Sequence, residues 1–205
     1  MASPTPDLHD AYALGSPDDS RRLYADWAQT YDESFARRRG YRLPEAVAAA
    51  YAARGGTGPV LDIGAGTGLV AERLAARGIG PVDGVDISPE MLARAREKGC
   101  YRALHEGDAT AGLKLAPASY AGLVSAGTFT LGHLGPEVLP ALLTLGRPGV
   151  LVAISVNARH WEAAGFAAAL AGLDLDDLGR DEVPIYDSGG DHAGDRAFIV
   201  TFRRR

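Results

Sequence analysis

The sequence predicts a protein of the α/β class, built on a doubly wound, mixed, seven-stranded sheet. Three observations support this prediction. From residue 59 onward, short apolar segments typical of strands alternate with segments typical of helices, joined by short loops. A glycine-rich turn, LDIGAGTG at residues 61–68, follows the first strand. The last two strand segments are about ten residues apart, too few for a parallel crossover, so we expect them to pair antiparallel.

The N-terminal residues 1–55 are predicted to form an arm and two capping helices. Residues 1–15 are expected to be a loose arm, and Ser16 followed by Pro17 is typical of a helix start. The first helix carries an apolar, mainly aromatic stripe at four-residue spacing, made of Leu23, Trp27, Tyr31 and Phe35. A second helix is predicted over residues 43–55, where a glycine ends it.

The middle of the chain supplies five strands and the helices between them. Ser88 and Pro89 are typical of a helix start, and Gly78 and Gly99 are typical of helix ends. The strand segments are PVLDI, PVDGVDI, CYRALHEGD, YAGLVSAG and GVLVAISVN. The helix segments are GLVAERLAARG, SPEMLARAREKG and GPEVLPALLTLG.

The C-terminal part is predicted to hold one helix, over residues 159–170, and the antiparallel hairpin. The hairpin strands are EVPIY and AFIVTF, joined by a loop rich in glycine and aspartate. We expect residues 56–205 to form one ligand-binding domain, which makes a single structural unit with the capping helices.

Composition and charge exclude several classes of function. The chain of 205 residues has a net charge of −5, which disfavours binding nucleic acid through its phosphates. Cys100 is the one cysteine, so no internal disulfide can form, as expected in a reducing compartment. No apolar run approaches the ~18 residues of a membrane span, and the N-terminal segment lacks the pattern of a secretory signal. We expect a cytoplasmic protein, monomeric or homodimeric, with no nucleic-acid or membrane partner.

The glycine-rich turn indicates a ligand that touches the main chain. In open α/β sheets ligands lie beyond the carboxyl ends of the strands, and this turn joins the first strand to the first helix of the sheet. Glycines allow close approach, and the helix N-terminus directs free amides toward the ligand. The spacing departs from the dinucleotide fingerprint, because Leu69 stands where the third glycine is required. No lysine is near, which also excludes a phosphate loop of the NTPase type.

Three acids at the first three strands suggest the nature of this ligand. Asp86 ends the second strand, where it can accept hydrogen bonds from the two hydroxyls of a ribose or can simply be an acid at the helix entry. Asp108 follows the third strand and can bond an adenine amino group or cap a turn. Asp62 lies beside the glycines, where it can face a cationic group. A ribose, a base and a cation without a phosphate point to S-adenosylmethionine.

The same segments carry a resemblance to a known family. They are LDIGAGTGLVAERL, GVDISPEMLARARE, YRALHEGD and SAGTFTLGHLGPEVL. The chain resembles the class I S-adenosylmethionine-dependent methyltransferases, and within them the small Williams-Beuren-region methyltransferase-like group. The resemblance runs from YADWAQTYD to the strand after RPG. It implies a Rossmann-like fold, a domain over residues 56–205 that binds S-adenosylmethionine, and S-adenosylhomocysteine as product.

The resemblance also implies which residues bind the cofactor. The loop glycines would line its methionine and ribose portions, and Asp62 would face the ammonium directly or through water. Asp86 would hold the ribose hydroxyls, Asp108 would bond the adenine amino group, and Tyr31 would cover the cofactor. The full set is Tyr31, Asp62, Gly64, Ala65, Gly66, Gly68, Asp86, Ile87, Met91, Asp108, Ala109 and Ser125.

The methyl acceptor is expected near the ends of the later strands. His133 can act as a base, because the ordinary pKa of histidine is close to working pH, although a loop histidine bonded to backbone has the same pattern. The rest of the expected substrate pocket is Thr128, Phe129, Asn157 and Trp161. Asn157 is equally suited to cap the next helix. The acids of DSGGDHAGD lack the spacing of an EF-hand, so no metal is predicted.

Departures from the resemblance leave other functions open. Relatives usually have an acid after the aromatic residue that opens the fourth strand, where this chain has Ala121, and Pro-Gly-Gly where it has Pro148-Gly149-Val150. We predict a methyltransferase acting on a small-molecule acceptor that the sequence does not identify. The alternatives are a non-catalytic module that binds S-adenosylmethionine and a nicotinamide-dependent reductase, against which Leu69 argues.

Overall fold

A seven-stranded sheet is the centre of this computed structural model, which describes residues 17–28, 30–32, 36, 39–187 and 194–205. The strand order is β3-β2-β1-β4-β5-β7-β6. β1 to β5 pair parallel, and β7 is antiparallel to both β5 and β6. The strands are β1 (Val60–Ile63), β2 (Val82–Asp86), β3 (Ala103–Glu106), β4 (Tyr120–Phe129), β5 (Gly146–Asn157), β6 (Leu175–Pro184) and β7 (Arg196–Arg204). The α/β class, the mixed sheet and the antiparallel hairpin are therefore confirmed.

Helices follow β1, β2 and β4, as the sequence predicts, whereas residues 107–119 connect β3 to β4 without a helix. The helices are α1 (Pro17–Trp27), α2 (Leu43–Ala53), α3 (Leu69–Ala75), α4 (Pro89–Glu97), α5 (Leu139–Leu143), α6 (Ala158–Ala163) and α7 (Phe166–Ala171), with a 3₁₀ turn at Pro136–Val138. Ser88 caps α4 by accepting a hydrogen bond from the Met91 amide at 3.2 Å. That cap fixes the entry to the helix immediately beyond Asp86.

The two faces of the sheet bury separate cores. β5 contributes to both, because its side chains alternate: Val152 and Ile154 join the core beneath α5 and α7, and Leu151 and Ala153 join the core beneath α2 and α3. All eight residues from 150 to 157 are buried. Such a doubly covered strand is typical of a sheet with helices on both faces. No helix in the described ranges is both long and apolar enough to cross a membrane.

Two predicted helices differ from those observed: one ends earlier and the other is divided in two. The aromatic stripe predicts a helix that continues past Trp27, but α1 stops there and Tyr31 lies in a wider turn. In this turn the Tyr31 ring packs edge-on against Trp27, with 5.1 Å between ring centroids. The predicted helix over residues 159–170 is split, because Gly165 takes a left-handed conformation (φ 69°) between α6 and α7.

Other predicted features differ in extent or fall outside the described residues. β6 begins at Leu175, well before the predicted EVPIY segment, and Tyr186 forms only an isolated bridge with Tyr41. The arm over residues 1–15, Ser16 and Phe35 lie outside the described residues, as does most of the glycine- and aspartate-rich loop between β6 and β7.

Gly122 in β4 is expected to tolerate no side chain. A Cβ at this position would overlap the hydroxyl of Tyr51, which is fully buried and donates to the Thr57 carbonyl at 2.7 Å. We expect Gly122→Ala to lower the free energy of unfolding by about 1–3 kcal/mol, as overpacked sites do. Gly172→Ala is the matched control, because a Cβ there would lie at an ordinary 3.4 Å from the Ala169 carbonyl oxygen. Urea unfolding measures both, and equal stability of the two variants would contradict the packing argument.

Candidate functional site

A cavity of about 370 Å³ lies at the carboxyl ends of β1, β2, β3 and β4. The parallel register sets this position, because it brings Ile63 beside Val85 and Asp86 beside Glu106 at one edge of the sheet. The wall is formed by the turn after β1, the end of β2, the loop after β3, the end of β4, and residues of the N-terminal segment. The cavity therefore occupies the position at which open α/β sheets bind ligands.

The glycine loop exposes main chain to this cavity. Gly64 and Gly66 line it, both with positive φ (68° and 52°). A Cβ on Gly64 would overlap the side chain of Thr128, whereas a Cβ on Gly66 would meet no protein atom within 4 Å. Gly68 does not line the cavity and instead begins α3 in a left-handed conformation. The loop thus forms a bare cradle whose empty side faces the cavity.

The carboxylate of Asp86 lies against this cradle and lines the cavity. Its Oδ2 accepts a hydrogen bond from the Gly66 amide at 2.7 Å, and its Oδ1 accepts one from the Ser88 amide at 2.9 Å. Burial raises the pKa of Asp86, while these amide hydrogen bonds oppose the rise. The two bonds orient the carboxylate between the glycine loop and the start of α4.

Asp62 lies behind the loop rather than in the cavity wall. The residue is fully buried, and its Oδ2 accepts a hydrogen bond from the Tyr101 hydroxyl at 2.7 Å. Gly84 makes this contact possible, because a Cβ there would press on the Tyr101 ring. Among the described residues Oδ1 of Asp62 has no hydrogen-bond partner. Burial raises the pKa of Asp62 from 3.8 to about 7; Tyr101 opposes the rise and Asp86 adds to it.

Two further expected cofactor residues also lie behind the loop. Ser125 is fully buried and donates to the Ile63 carbonyl at 2.7 Å. Ala65 is buried against Gly84 of β2. Neither residue lines the cavity. Both pack behind the glycine-rich turn and support it.

The expected adenine-binding residues do line the cavity. Ile87, Met91 and Ala109 provide apolar wall, and Asp108 stands beside them. Oδ1 of Asp108 accepts hydrogen bonds from both the amide (2.8 Å) and the hydroxyl (2.6 Å) of Thr110. The turn-capping contact allowed by the sequence is therefore present, and the carboxylate remains at the cavity.

The N-terminal segment covers the cavity and is bonded to the glycine loop. Tyr31 lines the cavity, and burial raises its pKa well above the usual value. Next to it, Oδ1 of Asp32 accepts a hydrogen bond from the Thr67 hydroxyl at 2.5 Å. Oδ2 of Asp32 pairs with Lys98 at 2.7 Å, and Lys98 also pairs with Glu72 at 2.8 Å. This group, Asp32, Thr67, Lys98 and Glu72, is called the loop latch below.

His133 lies in the cavity wall, in the connection after β4. Its Nδ1 is 3.1 Å from the Leu131 carbonyl, so the backbone contact allowed by the sequence is present. Its Nε2 is 2.9 Å from the hydroxyl of Tyr24 in α1. Burial lowers the pKa of His133, with a smaller contribution from His160 in the same direction and an opposing one from Leu131.

A smaller compartment adjoins the cavity and shares Tyr24, Tyr31, Tyr41, Gly127 and His133 with it. Of the four expected substrate residues, Thr128 lines the main cavity, and Phe129 and Asn157 line the smaller compartment. Asn157 also caps α6, accepting from the amides of Arg159 (2.9 Å) and His160 (3.3 Å).

Trp161 is placed outside both spaces. It is buried and stacked on Phe166, and the Arg180 guanidinium lies 4.9 Å from its ring centroid. Its position on α6 turns it toward β7, where it meets Phe198. Trp161 therefore packs in the core and does not line the expected substrate pocket.

Ala121, where relatives usually have an acid, lies far from the cavity along the strand. It is at the start of β4, and its amide donates to the Pro59 carbonyl at 2.8 Å. The cavity is at the other end of β4, beside Thr128. The departure at this position therefore lies at the end of the sheet opposite the candidate site.

The sequence does not single out several residues of the cavity wall. Tyr24 and Tyr41 are the most important, because they bring phenol groups to both spaces. Tyr24 opens the YADWAQTYD segment but is one residue out of step with the stripe of Leu23, Trp27 and Tyr31. The YADWAQTYD motif therefore includes Tyr24, whereas the helical periodicity indicated its neighbour Leu23.

Comparison with known proteins identifies similar chains. The family described as methyltransferase domain matches residues 60–147. Human methyltransferase-like protein 27 is 33% identical over 155 residues, a match covering 71% of this chain and 61% of that protein. The chain thus spans about three fifths of the length of this curated relative.

Solved structures share the fold at low identity. Magnesium protoporphyrin IX methyltransferase from Synechocystis, with bound S-adenosylmethionine, has a TM-score of 0.68 at 20% identity, covering 94% of this chain and 99% of that one. The [4+2]-cyclase SpnF has a TM-score of 0.68 at 16% identity, covering 93% and 97%. These likenesses extend the fold beyond the matched family segment.

Replacing Asp62 is expected to stabilise the protein in a pH-dependent way. Because the folded pKa is raised above 3.8 to about 7, the contribution of Asp62 to stability is present below pH 4 and lost as pH rises through 7. We expect Asp62→Asn to raise the free energy of unfolding at pH 8 by on the order of 4 kcal/mol at most. The gain should shrink toward pH 4, and urea unfolding at several pH values measures it.

Asp83 provides the control of opposite sign. Burial raises its pKa, but hydrogen bonds from Arg102 (2.9 and 2.7 Å) and Tyr120 (3.0 Å) prevail, so the pKa is lowered. Its stabilising contribution is present above pH 4 and lost as pH falls, so we expect Asp83→Asn to destabilise the protein at pH 8. The same pH dependence for both variants would contradict these assignments.

Proposed function

We propose that this chain, a member of the class I S-adenosylmethionine-dependent methyltransferases, transfers a methyl group from S-adenosylmethionine to a small-molecule acceptor. The observation that supports the proposal is the cavity in which the bare main chain of Gly64 and Gly66 adjoins the Asp86 carboxylate. This arrangement suits a nucleoside without a pyrophosphate, since Leu69 replaces the third glycine of a dinucleotide site.

The residues of the cavity fit the chemical groups of this cofactor. The Asp86 carboxylate is bonded by the amides of Gly66 and Ser88, and because a carboxylate has about four acceptor positions it can still accept from a ribose. Ile87 and Met91 offer an apolar surface for the adenine, and Asp108 offers an acceptor for its amino group. The open side of Gly66 leaves room at the main chain.

Asp62 supplies negative charge from behind the loop. Its Oδ1 lacks a partner among the described residues, but Asp62 is not part of the cavity wall. We infer that Asp62 acts on the ammonium of the cofactor through water rather than directly. A cation near Oδ1 would also favour the ionised carboxylate, which burial alone disfavours.

Methyl transfer mainly requires the protein to position the acceptor relative to the methyl group. When bound, S-adenosylmethionine supplies a methyl group attached to a sulfonium. S-adenosylhomocysteine is a good leaving group, so the protein need not form a covalent intermediate. The chain must hold the acceptor in line and exclude water, and good orientation accounts for roughly 7–11 kcal/mol of barrier reduction in favourable cases. Tyr24, Tyr31 and Tyr41 from the N-terminal segment can close the cavity against water.

His133 is proposed as the base of this reaction. It lines the cavity, and the lowered pKa favours the neutral imidazole that can accept a proton. The contact from Nδ1 to the Leu131 carbonyl orients the ring, so the backbone bond and the catalytic role are compatible.

Binding and turnover test different parts of the proposal. Titration calorimetry with S-adenosylmethionine, S-adenosylhomocysteine and NADH tests the cofactor: affinity for NADH alone would defeat it. Incubation with methyl-labelled cofactor and a metabolite extract tests methyl transfer. The fold by itself does not guarantee this reaction, because one protein that shares it is a [4+2]-cyclase. Cofactor binding without any labelled product would favour the non-catalytic module.

Asp86→Ala is expected to weaken binding of S-adenosylhomocysteine by about 1.5–3 kcal/mol, because a charged hydrogen-bond acceptor is lost. The matched control is Glu97→Ala, an exposed acid at the end of α4 whose carboxylate pairs with Arg94 at 2.7 Å. Calorimetry measures both variants. Unchanged affinity in Asp86→Ala would show that this carboxylate does not hold the ribose.

His133→Ala is expected to retain affinity for S-adenosylhomocysteine and to lose about 10²–10⁴-fold in turnover, the usual size of general base catalysis. The assay follows label transfer to the product found in the extract. In the wild-type protein, activity should fall at acidic pH as His133 becomes protonated, with the midpoint below the usual histidine value. Wild-type turnover in the variant would show that His133 is not the base.

A further inference from the structure

Tyr24 and His133 are in hydrogen-bond contact, and the proposed function gives this contact no role. The Tyr24 hydroxyl and His133 Nε2 are 2.9 Å apart, and their ring centroids are 5.8 Å apart. One residue comes from α1 and the other from the loop after β4, and both line the main cavity and the smaller compartment. The proton-accepting atom of the proposed base is therefore already in contact with a phenol.

The direction of this hydrogen bond follows from the other side of the ring. The Leu131 carbonyl can only accept, so Nδ1 of His133, at 3.1 Å, carries the proton of the neutral imidazole. Nε2 is then the unprotonated nitrogen, and the Tyr24 hydroxyl donates to it. An acceptor molecule can therefore deliver its proton to Nε2 through the oxygen of Tyr24.

The smaller compartment indicates the chemistry of the acceptor. None of its described residues is an acid, a lysine or an arginine, and its aromatic side chains are Tyr24, Trp27, Tyr31, Tyr41, Phe129 and Tyr186. Such a wall favours a planar, uncharged molecule, because charged groups lose hydration there without a counter-ion. The compartment has a volume of about 50 Å³, too small for a whole ring, so the acceptor would lie across the wall that it shares with the main cavity.

One polar group in this compartment also lacks a partner. The hydroxyl oxygen of Thr130 is buried and has no hydrogen-bond partner among the described residues. A buried hydroxyl of this kind is satisfied when a polar group of a ligand binds beside it. The compartment is thus uncharged and aromatic, with a hydroxyl to orient a polar substituent.

We propose that Tyr24 and His133 act together as a proton relay, and that the acceptor is a small phenol. The proposal rests on the proposed function. The acceptor O–H bond breaks as its oxygen bonds the methyl carbon, and the carbon–sulfur electron pair stays on sulfur, giving the methyl ether and S-adenosylhomocysteine. The acceptor proton passes to the Tyr24 oxygen as the Tyr24 proton passes to His133 Nε2. The resulting imidazolium later releases its proton to water.

Matched acidity makes a phenol the suitable acceptor for this relay. The ordinary pKa of a tyrosine phenol is about 10, so proton transfer from another phenol to Tyr24 is nearly balanced in free energy. An aliphatic alcohol is far less acidic, and an ammonium would bring a charge into the uncharged compartment. Tyr24 would thus be a catalytic residue that touches the substrate.

A pair of phenols of different acidity tests the relay. 4-Nitrophenol is acidic enough to lose its proton to water without a base, whereas 4-methoxyphenol is about as acidic as tyrosine and needs one; at pH 6 both enter the cavity as neutral molecules. With S-adenosylmethionine and the full chain, we expect Tyr24→Phe to lower methylation of 4-methoxyphenol by about 10²-fold or more. Methylation of 4-nitrophenol should change only a few-fold. Product ethers are measured by chromatography.

Two further variants keep the test decisive. His133→Gln should show the same selective loss of 4-methoxyphenol methylation. This variant replaces Tyr24→Phe in the test if Tyr24→Phe does not fold. Tyr186→Phe removes a different phenol from the same compartment and should affect the two substrates equally. Affinity for S-adenosylhomocysteine, measured for each variant, reports whether the cofactor site is intact.

The possible outcomes separate the two proposals. Equal losses for both phenols in Tyr24→Phe would overturn the relay and leave Tyr24 a packing role. Binding of S-adenosylhomocysteine without methylation of either phenol, or methylation of benzylamine in their place, would overturn the phenol acceptor while leaving the proposed function intact. Failure of the wild-type chain to bind S-adenosylhomocysteine would overturn the proposed function itself.

Discussion

The hydrogen bonds of Asp86 are the interaction on which the candidate site depends. One carboxylate joins the amide of Gly66, in the turn after β1, to the amide of Ser88, at the start of α4. The parallel pairing of β1 and β2 brings these two turns together, and the positive φ of Gly66 is compatible with the loop conformation that presents its amide. The sheet register, the loop conformation and the position of the carboxylate at the cavity therefore depend on one another.

The sequence predicts the sheet well because its signals are local. Each helix and strand around the cavity has its own cap, glycine or apolar run, and the ten-residue connection is enough to predict the antiparallel hairpin. The errors arise where tertiary contacts override periodicity. The stripe on α1 continues at helical spacing past Trp27, but the packing of Tyr31 against Trp27 and the contact of Asp32 with Thr67 occur in a different backbone geometry.

The candidate site is less predictable, since a motif does not reveal which face of a strand a side chain occupies. Ile63 points into the cavity wall, so its neighbour Asp62 points away, toward Tyr101. Tyr101 reaches it across Gly84 of the intervening strand, a contact between residues 39 positions apart. Tyr24 and His133 are 109 positions apart, and only the folded chain shows that they meet.

The loop latch has a consequence for the kinetics of the protein. Asp32 belongs to the N-terminal segment that covers the cavity, Thr67 to the glycine loop and Lys98 to the end of α4. The contacts among them therefore hold the N-terminal segment against the glycine loop. A ligand held beneath Tyr31 would therefore exchange with solvent more readily when these contacts open. Lys98 and Asp32 are partly shielded from water, at 17% and 31% side-chain exposure, so added salt would loosen the fastening gradually. For the proposed methyl transfer, opening of the loop latch would add a conformational step to the release of S-adenosylhomocysteine.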